Sequence, residues 1–451
     1  MTDRLQAAGL AALAGAVAAG LGWATAMNPL WAVAGAIAAA VALMVVLRPQ
    51  ALLLLLVAAL PWEGALNYPS DTVSVVKLLG ALLLAAWLWQ VAAGRQRVIL
   101  TGSLLPVGLF ACSIGISLAL SPDAGQGLLK TLRFTLYIVF FFLVTQLTHD
   151  RAQVRRILRV FVLSAAAAAG WALYLFLIAG TEPRAAGPIT DPNDFGYLEA
   201  CVLPLAGYLL AAEPRRRPVW GLCFALMAGA ILASLSRGAL VGLGGLLIWA
   251  LATRRIPLGG LVLAAGTVLT VGALALVIWS PLINDRLQSH NQIAQQNVDS
   301  RISFWSAAVR MWEDHPVVGV GVDRYGIEAP TYVRNSQIVL DRPAAHDSYL
   351  QILSEQGAIG LLTFLGFLLS TWLLLVRAGR LARVRDDLDA RRLATAMQGT
   401  FVVAVVSATF ISAELTMPFW IIGGLAAAVG TSQALARAPA PRPVRALAAA
   451  R

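Results

Sequence analysis

The chain has 451 residues, of which 59% are hydrophobic and only 13% charged, and its mean hydropathy is +0.75. A soluble domain carries about 25% charge, so a water-soluble fold is excluded. The 34 basic residues outnumber the 23 acidic ones for a net charge of +11, but the arginines cluster in short loops between apolar runs, so membrane topology accounts for the excess and no nucleic-acid partner is expected.

Apolar runs long enough to cross a bilayer recur from end to end, and strands are excluded because a lone strand in lipid leaves its backbone unpaired. The expected fold class is all-α: a polytopic integral membrane helical bundle of about 12–14 transmembrane helices. In chain order the runs are Leu5–Ala26, Pro29–Leu47, Ala51–Leu66, Val73–Ala93, Gly102–Leu120, Leu128–Thr148 and Ile157–Gly180. They continue as Asn193–Ala212, Trp220–Ser234, Gly238–Thr253 and Pro257–Ser280, then Tyr349–Arg377, Ala394–Ala413 and Met417–Leu435. The first lacks a small-residue cleavage site before a polar domain and reads as a retained anchor. Cys112, Cys201 and Cys223 all lie inside apolar runs, so neither a disulfide framework nor a metal site is expected.

This divides the chain into an N-terminal transmembrane bundle (1–280), a long polar loop (281–348), C-terminal transmembrane helices (349–436) and a Pro/Ala-rich tail (437–451). With the N-terminus placed in the cytoplasm, alternate loops and the tail collect 23 of the 34 basic residues. The bias of Arg and Lys then puts both termini inside and the long loop outside.

On the outer face, Arg184 precedes a Pro/Gly turn and the sequence Asp191-Pro192-Asn193-Asp194. Asp or Asn beside Pro is a helix-start signal. The segment serves either as a helix cap or, through Arg184, Asn193 and Asp194, as the lining of a polar cavity. Between the ninth and tenth runs Ser234-Leu235-Ser236-Arg237-Gly238 leaves Arg237 flanked by apolar sequence. An arginine at membrane depth costs roughly 2.5–3.5 kcal/mol on insertion scales, so it either snorkels to the headgroups or faces an anionic substrate.

In the long loop His290 has no partner at metal-ligand spacing and reads as solvated. Ile302, Trp305, Val309 and Trp312 form one apolar stripe at helical spacing, capped by Asp299 or Ser300 and stopped by Pro316; the spacing predicts an amphipathic helix on the mouth of the bundle. Arg301 in its first turn is badly placed for the helix dipole. PVVGVGVDRYG is a glycine-rich turn without the Lys-Ser/Thr ending of a phosphate loop, and His315 before Pro316 reads as structural. His346 opens the next long helix, capped by Asp347 or Ser348 and entering the apolar run at Tyr349. An imidazole at a helix N-terminus has a depressed pKa, and a neutral histidine on the outer face can accept a proton near pH 7.

SRGALVGL, the R-x-x-x-W element at Arg301–Trp305, HPVVGVGVDRYG and HDSYLQILSEQGAIGL, with DPND after an outer arginine, together resemble the O-antigen ligase/polymerase superfamily of bacterial envelope glycosyltransferases. The likeness covers roughly 184–360; the first five or six runs carry no matching motif. It implies a GT-C-like membrane fold with amphipathic helices in one long periplasmic loop. The implied reaction is an inverting, metal-independent and cofactor-free glycan transfer at the periplasmic face of the bacterial inner membrane. The implied donor is an undecaprenyl-diphosphate-linked glycan and the acceptor a hydroxyl of lipid A–core or another glycan. By motif position His346 is the implied base, and Arg237 and Arg301 hold the diphosphate; Arg184, Asn193, Asp194, Asp347 and Tyr349 are the implied substrate contacts. Arg310, Arg324, Arg334 and Arg342 are alternatives for the second cation. A ligase is the leading reading. A polymerase has the same chemistry, and the RAAGPITDPND variant also resembles exopolysaccharide members. A polyprenyl-glycan transporter would fit intramembrane arginines, but no internal repeat of the transporter kind is visible.

Overall fold

A computed structural model describes residues 48–66, 74–255, 301–333, 344–412 and 416–435. The expected spans Leu5–Ala26, Pro29–Leu47 and Pro257–Ser280 lie outside them, as do His290, Arg334, Arg342 and the tail. Every regular element among the described residues is helical. Six helices are long and apolar enough to cross a membrane, and four more are apolar but shorter, which makes this a polytopic helical membrane protein.

In chain order the helices are α1 (Pro49–Ala59), α2 (Val75–Ala92), α3 (Leu104–Ala119), α4 (Ala124–Leu147), α5 (Arg151–Leu173), α6 (Pro192–Ala212), α7 (Arg217–Ser234) and α8 (Arg237–Ala252). Then come α9 (301–314), α10 (Tyr325–Tyr332), α11 (Ser348–Val384), α12 (Leu388–Ser407) and α13 (Met417–Leu435). Caps set several starts: the side chains of Ser74, Asp123, Asp150, Asp191, Ser236, Asp347 and Asp387 each accept from a backbone N–H in the first turn of the helix that follows. The helix expected from Tyr349 runs past Arg377 to Val384, because an arginine-bearing extension carries it out of the apolar zone.

Helix α6 is the axis of the molecule. Apolar on nearly every side, it is buried along its length, as a helix surrounded by others must be, and packs against α5, α7, α8 and α12. A second layer forms where α11 packs against α3, α12 and α13, and α13 against α4. Between the layers sits an aromatic cluster, with Trp420 stacked on Phe367 at 5.1 Å and Phe364 edge-on to Phe419 at 5.8 Å.

The two ends of the bundle differ. At one end Arg151 pairs with Asp387 at 2.6 Å, Arg155 with Asp389 at 2.6 Å and Arg159 with Glu213 at 2.7 Å. The opposite end gathers the starts of α6, α8 and α11 and the short helices α9 and α10.

Helix α9 corrects the expected stripe. Ile302 is 55% exposed and Val309 36%, whereas Ala307, Ala308 and Met311 are fully buried. Ala308 and Met311 pack with Val320, Tyr325, Ala329 and Ala345. Small side chains let α9 approach α10 closely, and that approach rather than the largest side chains selects the inward face. The helix ends at 314, ahead of Pro316, whose carbonyl accepts from Trp312 Nε1 at 3.1 Å.

Candidate functional site

Two of the motifs are bonded to one another. The glycine-rich turn after Pro316 lies along the first turns of α11. Val320 N–H donates to the Ser354 carbonyl at 2.9 Å and Gly321 N–H to that of Glu355 at 3.0 Å. In return Ala358 N–H donates to Pro316 at 2.9 Å and Ile359 N–H to Val317 at 3.2 Å. Forming this ladder requires α11 to break at Gly357 (φ 65°, ψ −164°), a conformation glycine alone adopts without strain. A Cβ on Gly357 would stand 2.3 Å from the Val317 carbonyl carbon, and one on Gly319 (φ 70°) 2.3 Å from that of Glu355.

The short first segment of α11 carries His346 at its head. Asp347 caps it, accepting from the N–H groups of Tyr349 and Leu350, both at 2.9 Å. The preceding peptide is held on both sides: Ala345 N–H donates to Gln351 Oε1 at 3.0 Å, and its carbonyl accepts from Trp305 Nε1 at 3.0 Å. Gln351 in turn hydrogen-bonds the Glu355 carboxylate, which pairs with Lys130 of α4 at 2.9 Å. His346 itself sits at φ 51°, in the sparsely populated left-handed region.

Around His346 the cations gather. Arg184 Nε donates to the Ser234 carbonyl at 2.7 Å and its NH2 to Asn193 Oδ1 at 3.0 Å, tying the loop before α6 to the end of α7. Arg237 is the first residue of α8. Arg301 donates to the Phe410 carbonyl at 3.3 Å, and Ser348 N–H to that of Ala408 at 2.9 Å, so the end of α12 joins Arg301 to the head of α11. Arg237 is within Coulombic range of both Arg184 and Arg301, and Arg301 of His346. Among the described residues none of the three guanidiniums is in a salt bridge. The positive N-terminal ends of α6, α8 and α11 point into the same region, a favourable arrangement for an anion.

Desolvation and mutual repulsion show in the titration of the group. Burial lowers the Arg184 pKa, with Asp191 opposing and Arg237 adding. Burial and Arg237 lower that of Arg301 against Asp191. His346 is pulled below the ordinary imidazole value of 6.5 by burial first and Arg301 second, again against Asp191. The direction matches the expectation from sequence; the causes are burial and a neighbouring arginine rather than the helix end. His346 is open to solvent by surface area yet desolvated by the protein around it, as a side chain in a recess would be.

The other candidates fall out as follows. Asn193 faces Arg184, while Asp194, one residue on, lines a different cavity with Glu63, Lys77 and Arg133. The Tyr349 hydroxyl donates to the Val405 carbonyl at 2.8 Å, and burial raises the Asp347 pKa against its two backbone hydrogen bonds. Arg310 is engaged by the Tyr332 carbonyl at 2.7 Å and Arg324 by Glu328. Among the described residues no group of three or more His, Cys, Asp or Glu side chains is placed to hold a metal ion.

Sequence reasoning missed Asp191, the one carboxylate among the described residues acting on Arg184, Arg301 and His346 alike, because its capping role hid it. It also missed Lys130, Gln351 and Glu355. The signal was there: one of two lysines in the chain, and a Gln and Glu four apart at the head of an apolar run.

Residues 222–365 match the model of the family described as O-antigen ligase, a stretch that includes Arg237, Arg301 and His346. Over 294 residues the chain is 28% identical to an O-antigen ligase of Pseudomonas aeruginosa, covering 62% of this chain and 68% of that protein. The chain is thus similar to the O-antigen ligase family over 222–365 and to this relative over most of its length.

Proposed function

We propose that this protein is an O-antigen ligase. It transfers a glycan from undecaprenyl diphosphate to a sugar hydroxyl of lipid A–core, at the periplasmic face of the bacterial inner membrane. The observation that carries the reading is the convergence of three guanidiniums, in no salt bridge among the described residues, and three helix N-termini beside a histidine whose pKa is lowered.

His346 takes the proton of the acceptor hydroxyl as that oxygen attacks the anomeric carbon. The new C–O bond forms on the face opposite the diphosphate, the bond to the diphosphate oxygen breaks with its electron pair, and the anomeric centre inverts. Arg237 and Arg301, with Arg184 behind them, hold the developing charge; guanidinium stays protonated and grips phosphate in a fork. The anomeric bond to diphosphate is already activated. A positioned base contributes typically 10²–10⁴-fold.

An apolar groove of about 840 Å³ between α11 and α12, from Tyr349 and Thr409 down to Trp372 and Phe401, begins next to Phe410, the residue that Arg301 grips. It suits a polyprenyl chain whose diphosphate rests on the arginines.

The test is reconstitution with a defined undecaprenyl-diphosphate oligosaccharide, with and without lipid A–core, beside His346→Ala. Transfer that requires lipid A–core and is lost in the variant is expected. Longer lipid-linked glycans formed without lipid A–core would make the protein a polymerase. Passage of the donor across the bilayer without transfer would make it a transporter.

A further inference from the structure

The first turn of α6 separates two compartments. Asp191 and Asn193 belong to the arginine cluster, whereas Thr190 and Asp194 line a cavity of about 700 Å³ between α1, α2 and α4. A smaller recess of about 330 Å³ adjoins it and shares Glu63, Thr190, Asp194 and Met417. Cavities of ~300–1,000 Å³ hold ligands of several rings.

The cavity is two-faced. Its polar rim carries Glu63, Lys77, Arg133, Tyr137, Thr190 and Asp194, and its remaining wall is apolar side chains of α1, α2 and α4. The charges interleave: Lys77 and Arg133 act on Glu63, and Glu63, Arg133 and Asp194 all act on Tyr137. Balanced carboxylates and cations around an aromatic ring do not select a bare anion. They suit hydroxyl groups, each of which donates to a carboxylate and accepts from an ammonium or guanidinium. The apolar wall suits a lipid chain attached to such a head.

We infer that this cavity binds the saccharide head of the second, membrane-anchored substrate, the acceptor, while the arginine cluster holds the donor diphosphate. The inference rests on the glycan-transfer reading above. Two lipid-anchored substrates need two apolar approaches: the groove between α11 and α12 offers one to the donor, and the apolar wall of α1, α2 and α4 offers the other to the acceptor. Only the first turn of α6 stands between the cavity and the arginine cluster, a helix about 10–12 Å across with its side chains, a span that an acceptor glycan of a few sugar rings can bridge.

Gly80 supplies a steric test. It lines the cavity, and nothing lies within 4 Å of a Cβ placed on it, so the position has room for a side chain and Gly80→Phe adds bulk at the cavity wall. Arg133→Gln is the polar counterpart. Full-length protein in nanodiscs is assayed for transfer to lipid A–core, and lipid A–core binding is read separately by native mass spectrometry. Thermal midpoints confirm that the variants fold. In both variants the acceptor KM and acceptor dissociation constant are expected to rise about tenfold or more, with the donor KM within about twofold. A donor KM that rises alone assigns the cavity to the donor and overturns the inference, as do unchanged constants for both substrates. Wild-type protein that binds lipid A–core but transfers nothing to it overturns the ligase reading. If Gly80→Phe still weakens that binding, the cavity assignment survives it.

Discussion

Burial and the Arg301 guanidinium both disfavour the protonated form of His346, and Asp191 favours it. A general base works only while neutral, so the rate is full above the His346 pKa and falls as pH drops through it. That limb is expected below 6.5, the ordinary value from which His346 is lowered. The neighbours give the sign of two shifts. Arg301→Gln removes a cation and moves the acid limb to higher pH, beyond its loss of rate. Asp191→Asn removes the opposing anion and moves the limb lower, while asparagine keeps the cap. Profiles of kcat/KM against pH check both, and a limb that moves in neither variant removes His346 as the titrating base. Arg237 makes a different demand. If it grips phosphate through a planar fork, Arg237→Lys costs nearly as much rate as Arg237→Ala, and a lysine variant at wild-type rate would reduce Arg237 to a point charge.

The first segment of α11 is the element that turns distant sequence into a site. It is broken at Gly357, laddered to the glycine-rich turn, and linked through Gln351 to the Lys130–Glu355 pair, with side chains 12% and 2% exposed. Removing one partner of a buried ion pair typically costs 3–5 kcal/mol, whereas replacing both can be neutral. Lys130→Met is therefore expected to destabilise strongly, and Lys130→Met with Glu355→Gln to recover most of the loss, read as unfolding midpoints in a double-mutant cycle. Gln351→Leu releases the Ala345 N–H and loosens His346. As a positioning residue, Gln351 should affect kcat and leave the donor KM unchanged; an equal rise in KM would mean general damage instead. The motifs HPVVGVGVDRYG and HDSYLQILSEQGAIGL were readable in the sequence as motifs. Their mutual ladder was not, because hydrogen bonds between 316–321 and 354–359 leave no periodic trace. The stripe on α9 misled for a related reason: large apolar residues mark a membrane-facing side as readily as a protein-facing one, and alanines at contacts are silent in hydropathy.

At the scale of the molecule the two ends follow opposite electrostatic rules. Where α5, α6 and α12 meet, arginines are neutralised by Asp387, Asp389 and Glu213, and the Arg151 hydrogen bond, the largest of several causes, holds the Asp387 carboxyl below its usual range. At the other end Arg184, Arg237 and Arg301 stay out of salt bridges among the described residues, as they must if substrate is to supply the counter-charge. Hydropathy showed the helical membrane class and most of the spans, since apolar length is written directly in composition. Grouping Arg184, Arg237, Arg301 and His346 came from motif likeness, and the split of Asn193 from Asp194 onto two flanks of α6 came only from the fold, because adjacent residues on a helix face different neighbours. From the arginine bias we propose the direction: the paired end, with the extension of α11, in the cytoplasm. This can be checked without any substrate. With Cys112, Cys201 and Cys223 replaced by alanine, Thr181→Cys and Val384→Cys place single thiols at exposed positions on the two ends. A membrane-impermeant maleimide small enough to cross the outer membrane should label position 181 in intact cells and position 384 only after lysis. Labelling in the reverse order would put the arginine cluster in the cytoplasm, where the proposed transfer to a periplasmic acceptor could not occur.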